Sequence, residues 1–392
     1  MTTSTRPALD GPTAVPATVL LFGYNGLVIG TWAASLAGLR ERLGLDSTGI
    51  AILLVVTGLC AITGMQIGGR LSDARGARRV CLAAVPFLIV GLAIVGLTPV
   101  YALLLLGGVL LGLGNGLIDV AMNALGVQIE ARRPRPIMSL FHGLWSVGNF
   151  AGAGLVLVAA LLMPTHAVVA ACLAVAALGL PALAALARLT PETEVVAHVD
   201  EAGTKTPIPR WAWLLGLMAI AFGLGEGAAM DWSGIHVTDV AGVPAVQGSM
   251  AVTVVAGFMV VIRLVGDRLV ARFGRRAVVR FGGACAALGY FVTAFATPLP
   301  ALLLGWALVG FGVGMIAPQV YAVAGHAGGG RVLAVVVTFG YATFLCGPAV
   351  IGFLVGAFGV QHAMLLPAIL LAALPFIAKV MPAQDAATAD AP

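Results

Sequence analysis

Three polar side chains recur every fourth residue inside a long apolar stretch of this 392-residue chain. Asn115, Asp119 and Asn123 stand at positions i, i+4 and i+8, so an α-helix would carry all three on one face. Amide and carboxylate groups in such a row can hydrogen-bond the hydroxyl groups of a polar solute. A carboxylate set in an apolar segment is also suited to taking up and releasing a proton. The alternative is a structural aspartate that is satisfied by its helix neighbours.

The next apolar stretch carries a second polar row. His142, Trp145 and Asn149 are spaced i, i+3 and i+7, and they again share one helix face. The imidazole of His142 can change charge near neutral pH, and it could pair with Asp119 or form part of an inner gate. Trp145 and Asn149 are candidate solute contacts. A histidine close to a helix end is also commonly a hydrogen-bonded structural residue, and both interpretations stay open.

Glu226 is the matching proton-coupling candidate in the second half of the chain, and it lies in a run of glycines that includes Gly225 and Gly227. Glycine weakens helices, and interrupted helices line substrate sites in membrane proteins. The alternative is close helix packing through small residues, with Glu226 locking the outer side. Further candidate solute contacts are single polar or aromatic side chains in other apolar stretches, namely Tyr24, Asn25, Gln319 and Tyr321.

The composition places most of the chain in lipid. Hydrophobic residues make up 60% of it and charged residues only 9%, whereas about a quarter of the residues in soluble domains are charged. The net charge of +5 does not indicate nucleic-acid binding, because the arginines occupy short segments between apolar stretches. The five cysteines are scattered through apolar stretches without metal-ligand spacing. We find no motif for ATP, a metal or another cofactor, or for hydrolytic catalysis, so we expect neither a cofactor nor an enzymatic activity.

Twelve segments are long and apolar enough to cross about 30 Å of hydrocarbon as helices of about 20 residues. Their approximate limits are 15–39, 49–69, 80–98, 100–129, 138–162, 167–187, 211–233, 247–266, 277–297, 301–324, 332–355 and 360–380. With the N-terminus in the cytoplasm, all but two of the 21 Lys and Arg residues lie on the cytoplasmic side, the exceptions being Arg40 and Arg42. An even number of spans returns the C-terminus to the cytoplasm, and we expect an integral plasma-membrane protein.

The longest polar stretch, residues 188–210, lies in the middle of the chain and contains several prolines and charged residues. It separates six predicted spans from the next six, and we interpret it as a flexible cytoplasmic linker. The predicted organisation is an N-terminal six-helix half over residues 1–187, the linker over 188–210, and a C-terminal six-helix half over 211–392.

Two short basic segments indicate an internal repeat. One runs over residues 69–79 and the other over 263–276, and each contains an aspartate followed by a glycine and arginines. Asp73 and Asp267 are 194 residues apart (267 − 73), which is close to half the chain length. The glycine follows the aspartate by three residues in the first copy and by seven in the second, so we interpret the second copy as longer by about one helical turn.

The first basic segment resembles the signature of the major facilitator superfamily, Gly-x-Leu-x-Asp-Arg-x-Gly-Arg-Arg/Lys, with five matches at Gly69, Leu71, Asp73, Gly76 and Arg78. Ala74 and Ala77 stand where that family usually has arginine. The resemblance implies an all-α membrane protein with 12 transmembrane helices in two pseudo-symmetric halves of six. It also implies a cytoplasmic gate or latch, formed by Gly69, Asp73, Gly76 and Arg78 in the first copy and by Asp267, Arg268, Arg272, Gly274 and Arg275 in the second.

Segments 114–123, 141–146 and 225–233 resemble a narrower group, the fucose-permease-like branch of bacterial inner-membrane proteins. In that branch an acidic residue at the position of Asp119 is tied to proton coupling. The resemblance implies a secondary transporter that works by alternating access, with a small-molecule substrate and a proton as the coupling ion. We expect a monomer in the lipid bilayer, with no nucleic-acid partner.

Two functions remain open. One is proton-coupled uptake of a polar, sugar-like solute, which the polar row of Asn115, Asp119 and Asn123 favours. The other is proton-coupled efflux of drugs or amphiphilic metabolites. Many exporters of the superfamily have an arginine early in the fourth span and a Gly-Pro pair in the fifth, and residues 107–112 and 148–154 contain neither. We therefore expect uptake.

Overall fold

The computed structural model describes residues 8–133, 137–192 and 208–381. Over these ranges the regular structure is helical, without a β-strand. A backbone in lipid must satisfy its own hydrogen bonds, and a helix does so within one segment. The α-helices are α1 (Ala14–Leu43), α2 (Ser47–Arg75), α3 (Ala77–Leu97), α4 (Tyr101–Glu130), α5 (Met138–Leu162), α6 (Ala167–Leu189), α7 (Arg210–Ala241), α8 (Ala245–Phe273), α9 (Arg275–Phe295), α10 (Leu299–Val313), α11 (Ile316–Ala363) and α12 (Leu365–Ile377). Short 3-10 helices lie at Pro164–His166 and Ala378–Val380.

Eleven helical segments in the described ranges are long and apolar enough to cross a membrane, and Leu365–Val380 is a shorter apolar segment. Large apolar side chains such as Leu162, Leu264 and Phe353 are exposed on the outside of these helices. A water-soluble protein rarely exposes so much apolar surface, whereas lipid is itself apolar and covers such side chains. The predicted all-α membrane fold is therefore confirmed.

The chain divides into two compact units, Met1–Gly203 and Thr204–Pro392. The first unit contains α1 to α6, and the second contains α7 to α12. Of the predicted linker, residues 193–207 lie outside the described residues, while residues 188–189 complete α6 and Arg210 begins α7. The limits predicted for the two halves remain a prediction.

Four helices of the second unit begin at one constant offset in sequence from their counterparts in the first. Ala77 begins α3 and Arg275 begins α9, and we call the difference between these two positions (275 − 77) the repeat offset. The same offset relates the first residues of α2 and α8, of α4 and α10, and of α6 and α12. It also relates the left-handed glycines that end α1 and α7, which are Gly44 at φ 61° and Gly242 at φ 63°. One sequence offset therefore relates equivalent positions of the two units.

Helix packing repeats with the same offset. A Cβ on Gly112 of α4 would overlap the Thr57 carbonyl of α2, and a Cβ on Gly310 of α10 would overlap the Val255 carbonyl of α8. The repeat offset separates the two glycines, and it also separates the two carbonyls that they contact. Small residues at such positions bring helix backbones into contact, which replaces the hydrophobic driving force that lipid does not supply.

The two basic segments are helical except at one glycine in each. α2 and α8 each run for 29 residues through the basic segment, and a single glycine joins each of them to the next helix. Gly76 has φ 86° and Gly274 has φ 78°, a backbone region that glycine enters readily. The prediction that the second copy is longer by one turn is wrong, because the repeat offset places Asp267 at the position of Gly69. Alanine and arginine continue a helix readily, so only the glycines mark its end.

The second unit departs from the predicted spans near residue 315. Spans were predicted over 301–324 and 332–355. Leu299–Ala324 is long and apolar enough to cross a membrane, in agreement with the first of them, but α10 ends at Val313 and α11 is continuous from Ile316 to Ala363. Pro318 explains the position of this break, because proline fits the first turn of a helix but not its interior. Residues 325–331, between the two predicted spans, contain no proline and are helical.

Candidate functional site

Three predicted site residues of the first unit form one chain of hydrogen bonds. The indole N–H of Trp145 donates to Asn25 Oδ1 at 2.7 Å, and Asn25 Nδ2 donates to Asn115 Oδ1 at 2.9 Å. We call Asn25, Asn115 and Trp145 the amide–indole cluster. It joins α5, α1 and α4. Asn25 is only 1% exposed, and both ends of its amide are used.

Close packing of α1 against α5 makes this cluster possible. A Cβ on Gly26 would overlap the backbone carbonyl of Trp145, and a Cβ on Gly30 would overlap that of Asn149. The two backbones therefore touch, and Asn25 comes within reach of the Trp145 indole. The partnership of Asn25 with Trp145 and Asn115 was not predicted, because no spacing within one helix indicates which side chains of another helix it meets.

Asp119 lies one helical turn after Asn115 on α4, as the polar row predicts. It precedes Glu130, the last residue of α4, by 11 residues, which places it about 16 Å along the helix axis. Asn123 Nδ2 donates to the Asp119 backbone carbonyl at 2.7 Å and lies 3.5 Å from its carboxylate. At 3.5 Å this contact with the carboxylate is weak. The half-buried Asp119 is therefore suited to bind an exchangeable partner beside the cluster.

The other candidates of the first unit surround the cluster or lie away from it. His142, one turn from Trp145 on α5, is exposed, and the rings of His142 and Phe22 meet edge to face at 5.3 Å. Asn149 is buried, and within the described part of the chain its Nδ2 has no hydrogen-bond partner. The hydroxyl of Tyr24 lies against Gly179 of α6, and it does not join Asn25 in the cluster.

The second unit contains an ion pair instead of an amide cluster. Arg263 Nη2 of α8 lies 3.3 Å from Glu226 Oε1 of α7, and each side chain is 20% exposed. Arg263 Nε also donates to the backbone carbonyl of Gly314 at 3.1 Å, in the break between α10 and α11. The sequence analysis counted Arg263 only as the first residue of the second basic segment, whereas it lies inside α8 and contacts a proton-coupling candidate.

The remaining candidates of the second unit lie on α11. Arg275 Nη1 donates to Gln319 Oε1 at 2.7 Å, so a predicted gate residue holds a predicted solute contact. The ring of Tyr321 meets Phe222 of α7 edge to face at 5.5 Å. Both contacts attach the start of α11 to other helices of its own unit. The role of these residues in solute binding stays a prediction.

The predicted gate residues include one arginine with a clear structural task. Arg78, near the start of α3, donates from Nε to the Thr190 carbonyl at 2.9 Å and from Nη2 to the Ala187 carbonyl at 2.7 Å. It also pairs with Glu192 at 3.4 Å. The guanidinium therefore binds the C-terminal end of α6, where helix carbonyls lack partners and a positive charge is stabilising.

Arg276 performs the same task in the second unit, one repeat offset after Arg78, and the sequence analysis did not select it as a gate residue. Its Nε donates to the Met381 carbonyl at 2.6 Å and its Nη2 to the Lys379 carbonyl at 2.9 Å, just after α12. We call Arg78 and Arg276 the helix-end clamps. Adding the repeat offset to position 78 would have identified Arg276 as the equivalent residue from the sequence.

The other gate candidates make fewer described contacts. Asp73 is half-buried near the end of α2. Arg268 and Arg272 are exposed on α8, and the Arg272 guanidinium lies 5.3 Å from the centre of the Phe273 ring. The side chain of Asp267 lies outside the described residues. Within the described ranges, no group of three or more His, Cys, Asp and Glu side chains could hold a metal ion.

Comparison with known proteins identifies the family. The family model described as Major Facilitator Superfamily matches residues 18–329 and 215–390. The chain is 33% identical over 362 residues to the uncharacterized transporter y4wD of Sinorhizobium fredii, a match that covers 88% of this chain and 95% of that protein. It is also 33% identical over 345 residues to an uncharacterized MFS-type transporter of Yersinia pestis, which covers 86% of this chain and 88% of that one.

Two further likenesses are more limited. A stretch of 121 residues, 31% of this chain, is 33% identical to the probable polyol transporter 3 of Arabidopsis thaliana and covers 23% of that protein. The crystal structure of the nucleoside transporter NupG has a TM-score of 0.72 over 93% of this chain and 100% of that one, and its 13% identity limits the likeness to the fold. The family match and the long relatives confirm the resemblance seen in the sequence: this chain is an integral membrane protein of the major facilitator superfamily, a family of transporters rather than enzymes.

Proposed function

We propose that this transporter takes up a small polar solute, such as a sugar or polyol, together with protons. The observation that carries the proposal is the amide–indole cluster with Asp119 one turn away. The cluster contains amide and indole groups, which donate to and accept from hydroxyl groups, and an aromatic surface on which a sugar ring can stack. The carboxylate of Asp119 completes the set with a group that can bind a proton.

The composition of the site favours hydroxyl-rich solutes over charged ones. In the cluster the side chains are neutral, and the hydrogen bonds among Asn25, Asn115 and Trp145 hold them in fixed orientations. A site built to hydrogen-bond hydroxyl groups rejects analogues that lack them, because its buried polar atoms would lose their partners. The partial likeness to a plant protein described as a probable polyol transporter agrees with this solute class.

Proton coupling is assigned to Asp119, with Glu226 and His142 as further candidates. A charged group within a bilayer costs about 2.5–3.5 kcal/mol on insertion scales, so such residues serve a function or pair with one another. Glu226 is paired with Arg263, whereas in the described part of the chain the Asp119 carboxylate has a weak contact with Asn123. The proposal includes alternating access by a monomer in the plasma membrane, with both termini in the cytoplasm.

A thermal-shift screen of the purified protein tests the solute class. A ligand that binds the folded state raises the melting temperature, and the panel should contain sugars, polyols, amino acids and amphiphilic antibiotics. We expect a concentration-dependent rise with a sugar or polyol. Selective stabilisation by amphiphilic drugs would instead favour the efflux function.

Trp145→Phe provides the matched variant for this screen. It removes the indole donor and leaves Asn25 Oδ1 without that bond, so the rise caused by the sugar or polyol should largely disappear. The control is Thr343→Val, one repeat offset later at the equivalent position of the second unit. The Thr343 hydroxyl donates to the Phe339 carbonyl of its own helix at 2.9 Å, so this variant should keep the ligand response. An equal loss in both variants would contradict the proposed site.

A further inference from the structure

We propose that the exposed face of α8 binds the head group of an anionic phospholipid through Arg268 and Arg272. The bound lipid lies in the leaflet on the side of the junction between α8 and α9, which is the cytoplasmic leaflet in the predicted orientation. The proposal goes beyond solute uptake, and it gives these two arginines a task other than the predicted gate.

Arg268 and Arg272 lie next to each other on the surface of α8, because residues four apart in a helix share one face. We call them the arginine pair. Both side chains are exposed, and the Arg272 guanidinium lies 5.3 Å from the centre of the Phe273 ring, which is itself 53% exposed. Among the described residues, neither guanidinium has a hydrogen bond or an ion pair with the protein, so both can bind an anion from outside it.

The chemistry of the arginine pair suits a lipid phosphate. A guanidinium stays charged at any physiological pH, and it forms two parallel hydrogen bonds to phosphate oxygens. Basic residues at a membrane surface attract lipids that carry a net negative charge. A zwitterionic lipid has the same phosphate, but its own positive group offsets the attraction, so the pair favours an anionic head group.

The same face of α8 is apolar further from the junction. Phe258, Val261 and Val265 precede Arg268 at spacings of three, four and three residues, which keep side chains on one helix face. They are 42%, 53% and 36% exposed, and we call them the apolar track. Phe258 and Arg268 are 10 residues apart (268 − 258), or about 15 Å along the helix, which is about half the thickness of the hydrocarbon layer. The face therefore offers one leaflet a path for an acyl chain with positive charge at its end.

The other side of α8 packs within its own unit. Val255, Met259 and Ile262 are buried, and a Cβ on Gly266 would overlap the side chain of Met315. These positions lie across the helix from the arginine pair. A soluble anion would need the arginines alone, whereas a phospholipid also covers the exposed apolar track, and for this reason we assign the face to a lipid.

The first unit has a different surface at the equivalent positions of α2. Of the arginine pair, only Arg268 has an equivalent arginine, Arg70, and Ala74 stands at the position of Arg272. The positions of the apolar track hold Cys60, Thr63 and Ile67. Membrane topology favours basic residues at this end of both helices, but it does not require two of them on one face beside an apolar track. Their presence in one unit therefore indicates a separate task.

Lipid titration of the purified full-length protein, followed by native mass spectrometry, tests the proposal. The probe is phosphatidylglycerol, and phosphatidylcholine with the same acyl chains is the zwitterionic control. We expect phosphatidylglycerol to bind about tenfold more tightly than phosphatidylcholine. Arg272→Ala, which inserts the residue of the first unit, should weaken phosphatidylglycerol binding about fivefold, and the double variant Arg268→Ala with Arg272→Ala about 25-fold. Binding of phosphatidylcholine should stay the same in both variants.

Three further variants separate the site from general charge and from folding. Arg70→Ala removes one arginine from the matched face of α2, and it should leave phosphatidylglycerol binding within about twofold of the wild type. Arg268→Lys with Arg272→Lys keeps both charges, so it should bind the lipid more tightly than the double alanine variant. Phe258→Ala shortens the apolar track and should weaken binding of long-chain phosphatidylglycerol, but not of dihexanoyl phosphatidylglycerol, whose chains are too short to reach that residue.

Inorganic phosphate and glycerol 3-phosphate distinguish a lipid from a soluble anion, and neither should displace phosphatidylglycerol when added in excess. The proposal is overturned if the double alanine variant binds phosphatidylglycerol like the wild type, if Arg70→Ala weakens binding as much as Arg272→Ala, or if a soluble anion displaces the lipid. Because the titration needs neither solute nor proton gradient, its result is independent of the proposed uptake.

Discussion

The two units of this transporter share one helix arrangement but differ in their polar residues. The contact of Gly112 with the Thr57 carbonyl recurs one repeat offset later as that of Gly310 with the Val255 carbonyl. The helix-end clamps Arg78 and Arg276 recur in the same way. The amide–indole cluster does not recur: Gly223, Val313 and Thr343 occupy the equivalent positions.

This difference separates what the fold requires from what the proposed chemistry requires. Backbone contacts and helix-end hydrogen bonds are needed in each unit to hold six helices together, so they occur twice. Polar groups in a membrane are unfavourable unless they have a task, and they need to occur only where that task is performed. The first unit has neutral hydrogen-bonding groups beside a carboxylate, and the second has an ion pair at a helix break.

The largest effect is expected from breaking the shared packing. Gly112→Val and Gly310→Val each place side-chain atoms on a backbone carbonyl that cannot move aside, which should cost about 3 kcal/mol or more and yield little folded protein. Yield and monodispersity after detergent extraction measure the loss. Gly154→Val is the control, because a Cβ at Gly154 meets open space. Loss in only one of the first two variants would contradict equal packing of the units.

The next effect tests the chemistry of the first unit. Asp119→Asn removes the ionisable group but keeps the shape of the side chain. Proton-driven accumulation of the solute in proteoliposomes should therefore be lost, while the inserted protein stays folded. Asp46→Asn is the matched control: Asp46 caps α2 through a bond from the Gly49 N–H at 2.7 Å, and asparagine caps equally well. Wild-type accumulation by Asp119→Asn would exclude this residue as the proton carrier.

The smallest effect compares the helix-end clamps. Arg78→Ala and Arg276→Ala each remove charge-assisted bonds to two helix-end carbonyls near the water interface, so each should lower stability by about 1 kcal/mol. Thermal denaturation of both variants gives the comparison. Arg280→Ala, an exposed arginine of α9, should change little. A much larger loss for Arg78 would show that its ion pair with Glu192 adds substantially to the clamp.

Much of the fold was predictable because one physical rule governs it. Apolar stretches of sufficient length must become helices in lipid, and glycine or proline ends them. The row of Asn115, Asp119 and Asn123 was predictable for a related reason, since spacing along a helix determines which residues share a face. The features that the sequence analysis missed are ones on which this rule is ambiguous: basic segments that continue as helix, the interruption near Pro318 within the predicted span 301–324, and the helix that continues through residues 325–331.

The sequence by itself determined the membrane class, the helical fold, the polar face of α4 and the superfamily. Only the tertiary structure decided that Trp145 meets Asn25 and that Arg263 lies between Glu226 and the Gly314 carbonyl. It also decided that the starts of the helices, rather than the two aspartates of the basic segments, set the register of the repeat. The physical reason is that residue spacing in the sequence determines only which side chains share a face of the same helix. Which faces of two helices meet, and at what height, depends on where small residues let their backbones touch.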